Sequence, residues 1–351
     1  MKTFRRLFVA STAIALLSAC GGGGGDGGTP PPAGGPAPAP AVTITSNNQT
    51  ALARSTLGGG LGLGNARVLA AQPGARALAV LPGSAPQMAP PLAVIAQRGI
   101  DVAVRPRPSA AAFRPRALAV TTETEACGFS GSITIAFDDR DNDEDVSAGD
   151  DIAVTFNQCR ESAEDLINGT VVVSITSVSA ASASRLEFAG AMAFQSVTVA
   201  FGSTTATLNG SLAVAFLETT SLSRLTLTVG AGGLTLTIAQ PGYSDTIIYA
   251  SGARIDVTST VSPAATSVSM NGSFSASSIG GTVTVATLQP VRQLDVDVYP
   301  SSGQILVTGA GGSRLRITVL SNTTVRLELD ADGDGTFEAA SQVAWSTLLA
   351  A

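Results

Sequence analysis

The sequence predicts an all-β protein, with an antiparallel, sheet-rich domain over residues 121–351 preceded by a disordered, tethered N-terminal region. First, Leu, Val and Ile alternate with Thr in "SRLTLTVGAGGLTLTIAQPG", a period of two that gives a strand one buried and one wet face. Second, similar runs recur to the C terminus. Third, Asn-Gly pairs at Asn168, Asn209 and Asn271 precede such runs and favour tight turns. A sandwich, an open curved sheet and a barrel all fit this pattern.

Composition divides the chain into four segments. Residues 1–19 form a predicted signal peptide, and residues 20–50 a tether rich in Gly and Pro. Residues 51–120 carry eight arginines against Asp101 and many prolines, so we expect a low-order linker. Its arginines could face anionic lipid or the acidic domain, or simply belong to a spacer. Residues 121–351 hold 24 acidic residues and nine arginines, a net charge of −15.

The first twenty residues indicate export and lipid attachment. A basic start precedes an apolar run from Leu7 to Leu17, which is too short to span a bilayer as a helix. The following "LSAC" resembles the bacterial lipobox. That resemblance implies a diacylglycerol group on the sulfur of Cys20 and an acyl chain such as palmitate on the new amino terminus. By the same analogy Gly21 implies sorting to the outer membrane, on either face. An ordinary signal peptide with an incidental cysteine is the alternative.

The chain contains no histidine. This excludes a Ser/His/Asp or Cys/His relay and a histidine-ligated zinc site. We therefore predict that the protein is not an enzyme. A folded domain with a charge of −15 is also a poor nucleic-acid partner, so none is expected.

Cys127 and Cys159 are the two cysteines outside the predicted anchor. In an exported chain such a pair predicts one disulfide, closing a loop of about 32 residues. Two buried free thiols are the alternative.

An acidic stretch between these cysteines, "FDDRDNDEDVSAGDDIAVTF", has the spacing of a calcium loop. Counted from the first ligand, acids occupy positions 1, 3, 5, 7 and 12: Asp139, Asp141, Asp143, Asp145 and Asp150. Position 6 is Glu144 where an EF-hand has glycine, and no helix is predicted on either side. The stretch is therefore a calcium-loop-like strand connection, or a solvated acidic turn.

A second acidic stretch, "LELDADGDGTFE", lies near the C terminus. It has the D-x-D-x-D-G core shared by calcium loops of several folds. The candidate ligands are Asp330, Asp332, Asp334, the carbonyl of Thr336, and Glu338. Position 12 is Ser341, so no bidentate carboxylate stands there. The alternative is a polar turn that uses Asp and Gly for its conformation.

Two segments resemble a family of proteobacterial lipoproteins. "CGFSGSITIAFDDRDNDEDVSAGDDIAVTFNQC" shows the family's cysteine, strand, "SAGD" element, strand ending in "TFN" and second cysteine. The closing segment around "LDADGDGTFE" is also similar. The resemblance covers about residues 121–351 and implies a cell-envelope address and a β architecture. No activity comes with it.

Three classes of function remain open. The first is a lipid-anchored, calcium-stabilised binding or display module, whose protein or glycan ligand the sequence does not identify. The second is a periplasm-facing structural or lipid-handling lipoprotein. The third is a hydrolase acting on envelope or extracellular polysaccharide with paired carboxylates. The acids cluster in the two loops and aromatic residues make up only 5%, which disfavours the third.

Overall fold

A single antiparallel sheet dominates the structure, which is a computed structural model of the chain. The structure describes residues 39–63 and 120–348, apart from residues 142, 144, 145, 161, 162, 164, 183 and 184. The predicted signal peptide, Cys20, most of the predicted tether and the predicted linker beyond residue 63 lie outside the described residues, as does Asp145.

Within the described residues, the elements in chain order are a helix, fifteen strands with a 3-10 turn at Ala310–Gly312 between the twelfth and the thirteenth, and a final short helix. Helix α1 is Gln49–Leu63 and helix α2 is Trp345–Leu348. The strands are β1 Thr121–Ala126, β2 Ser130–Asp138, β3 Asp151–Arg160, β4 Asp165–Ser182, β5 Arg185–Phe201, β6 Thr204–Thr219, β7 Leu222–Gln240, β8 Tyr243–Tyr249, β9 Arg254–Val261, β10 Ala264–Ala276, β11 Gly281–Leu294, β12 Ser302–Thr308, β13 Arg314–Val319, β14 Thr324–Asp330 and β15 Ala339–Ala344.

The sheet is a meander in which each strand runs antiparallel to its neighbours. Strands β8 and β9 lie end to end between β7 and β10, so together they act as one interrupted strand. No backbone pairing joins β1 to β15 among the described strands, so the sheet has two edges. The predicted all-β antiparallel class is confirmed, as a single open sheet.

A meander places its connections alternately at two ends of the sheet. One end, here called the disulfide end, holds Cys127 and the connections that follow β1, β3, β5, β7, β10, β12 and β14. The opposite end holds the connections that follow β2, β4, β6, β9, β11 and β13. The acidic stretch 139–150 therefore lies at the opposite end and the acidic stretch 330–338 at the disulfide end.

The core lies on one face of the sheet. In β7, Leu225, Leu227 and Val229 are buried while Thr226 and Thr228 on the other face are partly exposed, as the alternation predicts. Each fully buried Leu or Val side chain contributes about 1.5–3 kcal/mol. Helix α1 contacts β10, β13 and β14. The buried side chains of the strands form one core cluster with Leu52 and Leu57 of α1 and with Trp345 and Leu348 of α2.

The three Asn-Gly pairs do not form the tight turns that the sequence predicted. They lie inside β4, β6 and β10, next to shifts in strand register. The glycines Gly169, Gly210 and Gly272 have φ values of +105°, +122° and +130°. A glycine with positive φ serves a bulge as well as a turn, and these long strands need bulges to bend.

Residues 39–63 pack against the sheet, although the sequence assigned them to the tether and the linker. Ala41 forms a parallel bridge with Thr282 on β11, and Ile44 is fully buried. Helix α1 follows Asn48, whose side-chain oxygen accepts a hydrogen bond from the backbone N–H of Thr45. The glycine-rich sequence of α1 has poor intrinsic helicity, so packing of Leu52 and Leu57 in the core stabilises it.

Candidate cation-binding loops

The connection between β14 and β15 folds around the carboxylate of Asp330. This side chain is 0% exposed, and its two oxygens accept hydrogen bonds from the backbone N–H groups of Gly333 at 2.7 Å and Gly335 at 3.1 Å. Both glycines have positive φ, at +80° and +96°. This conformation turns successive N–H groups inward, so the D-x-D-x-D-G sequence wraps the loop around its first carboxylate.

Four carboxylates meet in this loop. Asp330, Asp332, Asp334 and Glu338 each offer an oxygen within 4.8 Å of the others. Backbone hydrogen bonds hold the other three as well, since Asp332 accepts from Asp334 N–H, Asp334 from Thr336 N–H, and Glu338 from Ala331 N–H. Four oxygens at this separation could hold a hard cation. Thr336 also lies in the loop, as the spacing predicted, but its observed contact is this N–H donation.

Two arginines near this loop, Arg316 and Arg326, bind Glu328 rather than the loop carboxylates. Arg316 binds Glu328 through two hydrogen bonds of 2.7 and 2.8 Å, stacks over the ring of Phe337 at 4.1 Å, and shares Glu328 with Arg326 at 2.9 Å. The hydrogen bond from Arg316 lowers the pKa of Glu328 and raises that of the guanidinium. Within the described part of the chain, no ion pair reaches the four loop carboxylates.

The connection between β2 and β3 brings together three of the five predicted acids. Asp139, Asp141 and Asp143 each offer an oxygen within 4.8 Å of the others. The hydroxyl of Ser147 donates to Asp141 at 2.9 Å, and this hydrogen bond lowers the pKa of the carboxyl. Ser147 thus positions the carboxylate of Asp141 within the loop.

Asp150 stands apart from that group. It is 0% exposed, and its oxygens accept from the backbone N–H groups of Arg140 at 3.0 Å and Ser147 at 2.7 Å. The carboxylate therefore closes the loop from inside, where the sequence spacing had suggested the twelfth ligand position. The side chain of Arg140 pairs with Asp151 and, at 3.5 Å, with Asp138.

The two acidic loops are separate sites. They follow β2 and β14, so they lie at opposite ends of the sheet, and no carboxylate of one joins the group of the other. The acids therefore do not converge on one cleft in the described residues. The loop after β14 is the better candidate because its fully buried carboxylate belongs to the converging group and because that group has four members rather than three.

A buried carboxylate that the sequence analysis missed lies on β8. Asp245 is 1% exposed and accepts hydrogen bonds from Ser277 Oγ, Ser278 Oγ and Ser278 N–H at 2.7–2.9 Å. Ser278 also contacts Ser55 of α1 at 2.9 Å. The sequence did contain a signal for this burial. Asp245 is the sole charged residue between Arg224 and Arg254, and it falls on the same face of the strand as Ile247.

The predicted disulfide and the buried aromatic residues have structural roles. Cys127 and Cys159 form the predicted disulfide, with Cα atoms 5.5 Å apart. Trp345 is fully buried and stacks on Tyr299, with ring centroids 5.8 Å apart. Tyr249 is buried, and burial raises the pKa of its hydroxyl, with a further contribution from the charge of Asp245. The described aromatic residues therefore include no exposed tyrosine or tryptophan pair beside a carboxylate group.

Comparison with known proteins returned no match among protein-family models, curated proteins or solved structures. The resemblance to proteobacterial lipoproteins therefore stays a prediction. Among the described residues, no helix combines the length and the apolar character that crossing a bilayer requires.

Proposed function

We propose that the protein is a lipid-anchored cell-envelope lipoprotein of the bacterial outer membrane, whose β domain is a calcium-stabilised binding or display module. The loop after β14 carries this proposal, because four carboxylates converge there around the fully buried Asp330. The loop at Asp139, Asp141 and Asp143 is a second, weaker calcium site in the same proposal.

Calcium is the cation that this donor set favours. All candidate ligands are oxygens, the spacing is that of calcium loops, and the loop offers neither histidine nor thiolate for zinc. Four carboxylates within 4.8 Å repel one another, so a divalent cation would stabilise the loop by removing that repulsion. An exported protein meets calcium at concentrations that such sites can bind.

Export is supported by the disulfide as well as by the N-terminal sequence. A bridge between Cys127 and Cys159 persists in an oxidising compartment and is rare in a reducing one. The lipobox-like stretch ending at Cys20 supplies the membrane anchor in this proposal.

A display or binding role is supported by the outer face of the sheet. Threonine hydroxyls pair across strands there, for example Thr155 with Thr170 at 3.0 Å and Thr237 with Thr246 at 3.3 Å. No charged residue occurs between Glu187 on β5 and Glu218 on β6. A polar, nearly uncharged face of this kind suits contact with a neutral polar ligand such as a glycan or a protein surface.

Calcium titration of the soluble Cys20→Ser chain tests the proposal. We expect calorimetry to show one or two sites and the melting temperature to rise by several degrees in calcium relative to chelator. Asp334→Asn should abolish the stronger site, while Asp295→Asn, an exposed acid outside both loops, should leave it unchanged. The absence of both binding heat and a melting shift in the parent chain would refute the calcium part of the proposal.

A further inference from the structure

We infer that residues 39–63, here called the strap, carry the connection between the lipid anchor and the β domain, so that residues 21–38 alone set the reach of the domain from the membrane. Residues 64–119 then lie outside the covalent path from the anchor to the docked strap. This inference rests on the proposed lipid at Cys20, and it assigns a mechanical role to contacts that the sequence did not predict.

The N-terminal part of the strap is hydrogen-bonded to the start of β11 and to the β12–β13 connection, both at the disulfide end. Thr282 N–H donates to Pro40 O at 2.8 Å, and Val42 N–H donates to Thr282 O at 3.1 Å. Ala310 N–H donates to Val42 O at 2.8 Å. A pull on the chain from residue 38 therefore meets backbone hydrogen bonds to β11 and to the β12–β13 connection before it reaches α1.

The rest of the strap is fastened by burial. Ile44, Leu52, Ala53 and Leu57 are all 0% exposed and belong to the same core as the strands. Arg54 Nε donates to the carbonyl of Leu348 in α2 at 2.8 Å, and Ser55 reaches the Ser278–Asp245 pair. Detaching the strap would expose these apolar side chains and break partly buried hydrogen bonds, so the docked state is favoured.

Two glycines of the sheet fit the strap closely. A Cβ atom on Gly309 would overlap the carbonyl oxygen of Val42 and the side chain of Ile44, and a Cβ atom on Gly281 would overlap the carbonyl oxygen of Pro40. By contrast, a Cβ atom on Gly232 would meet no atom within 4 Å. Gly309→Val should therefore displace the strap selectively. Gly232→Ala is the control, because it adds a side chain to a sheet glycine where no neighbouring atom is met.

Because the strap is docked, the length of chain before it limits the distance between the lipid anchor and the β domain. Cys20 and Ala39 are 19 residues apart, which span at most about 65 Å when fully extended. Without the strap the connection would run from Cys20 to Val120, 100 residues, with an upper limit of about 350 Å. Docking thus shortens the maximum reach about five-fold and makes it independent of residues 64–119.

Matched insertions in the full-length lipidated protein test the inference. The same 30-residue Gly/Ser segment is inserted after Gly28 or after Gly74, and energy transfer is measured from a fluorophore at the exposed Gln342 to acceptor lipids in liposomes. We expect a loss of energy transfer for the insertion after Gly28 and no change for the insertion after Gly74. In the Gly309→Val background both insertions should reduce transfer, whereas in the Gly232→Ala background only the first should.

A wrong lipid anchor and a wrong role for the strap would give different results. If the wild-type protein does not float with liposomes, or floats as well after Cys20→Ser, the lipid anchor is wrong and the inference falls with it. If flotation depends on Cys20 and yet the insertion after Gly74 reduces transfer as much as the one after Gly28, only the strap's role is overturned. The wild-type comparison decides this even if Gly309→Val does not fold.

Discussion

The side-chain oxygen of Asn209 on β6 accepts a hydrogen bond from the backbone N–H of Ser196 on β5 at 2.9 Å, at a point where Ser196 has a φ of +50°. The same hydrogen bond occurs twice more, from the N–H of Gln158 to Asn168 at 2.8 Å and from the N–H of Thr287 to Asn271 at 3.1 Å, and Gln158, unlike Thr287, also has a positive φ, of +47°. Each asparagine thus supports a bulge on the adjacent strand, and the glycine after it supplies a positive φ. Three Asn-Gly pairs therefore bend one long sheet by one mechanism.

Substitutions at Asn209 and Gly210 should separate the contribution of the asparagine hydrogen bond from the contribution of the glycine conformation. Asn209→Ala removes one hydrogen bond at an exposed site, and we expect a loss of about 1 kcal/mol in the free energy of unfolding. Gly210→Ala should cost about 2–4 kcal/mol, because its φ is +122° and a Cβ atom would overlap the carbonyl oxygen of Gly233. Urea unfolding measures both, with Gly232→Ala as the control. Equal small effects of all three would contradict this account of the bulges.

The disulfide should stabilise the domain through its loop. Cys127 and Cys159 are 32 residues apart, for which the chain-entropy relation gives about 3–4 kcal/mol. We expect the Cys127→Ala/Cys159→Ala double variant to unfold at a correspondingly lower urea concentration under oxidising conditions. The wild type under reducing conditions should move to the same midpoint. A reduced wild type that keeps the oxidised midpoint would show that the bridge adds no stability.

Alternation predicted the strands well because it reports directly on burial. Leu225, Leu227 and Val229 face the core as their spacing requires. The Asn-Gly pairs misled the prediction because a positive φ at glycine serves a turn and a bulge equally, and only the partner strand distinguishes them. The strap was missed because a glycine-rich helix has no amphipathic signal of its own, and its stability comes from the surface that it meets.

In the acidic loops, too, the sequence predicted some side-chain contacts and missed others. Loop spacing predicted that Asp330, Asp332, Asp334 and Glu338 would converge, and they do. Spacing did not predict that Asp150 would bind two backbone N–H groups away from its neighbours. Whether a carboxylate caps its own loop or faces a shared centre depends on three-dimensional N–H positions, which the residue order does not give.

The Arg316–Glu328 pair should make stability depend on pH in the acid range. The hydrogen bond from Arg316 lowers the pKa of Glu328 in the folded state below its ordinary value of 4.5. The unfolded state therefore binds the proton more tightly, so this contribution is present above about pH 4.5 and is lost as the pH falls through the folded pKa. The difference in melting temperature between wild type and Glu328→Gln should shrink over that window. Glu187→Gln, in an exposed ion pair, is the control. A constant difference across the window would contradict the assignment.

Asp245 should be among the most sensitive polar residues of the domain. Its carboxylate accepts three hydrogen bonds from Ser277 and Ser278, and through Ser278 it reaches Ser55 of the strap. Asp245→Ala removes hydrogen bonds to a buried charged acceptor, although the exposed Ser277 and Ser278 can then bond to water, so we expect a loss of about 1–3 kcal/mol. Asp245→Asn retains one oxygen acceptor and should cost less.

Two measurements separate this role from a general charge effect. Urea unfolding in chelator should rank Asp245→Ala below Asp245→Asn, with Asp295→Asn close to wild type because Asp295 is exposed. Hydrogen exchange should show the backbone N–H of Leu52, which bonds to Asn48 O at 2.9 Å in the first turn of α1, losing protection in Asp245→Ala before the strands do. If the strap amides stay as protected as in wild type while global stability falls, Asp245 stabilises the sheet alone and the link through Ser278 to Ser55 carries no energy.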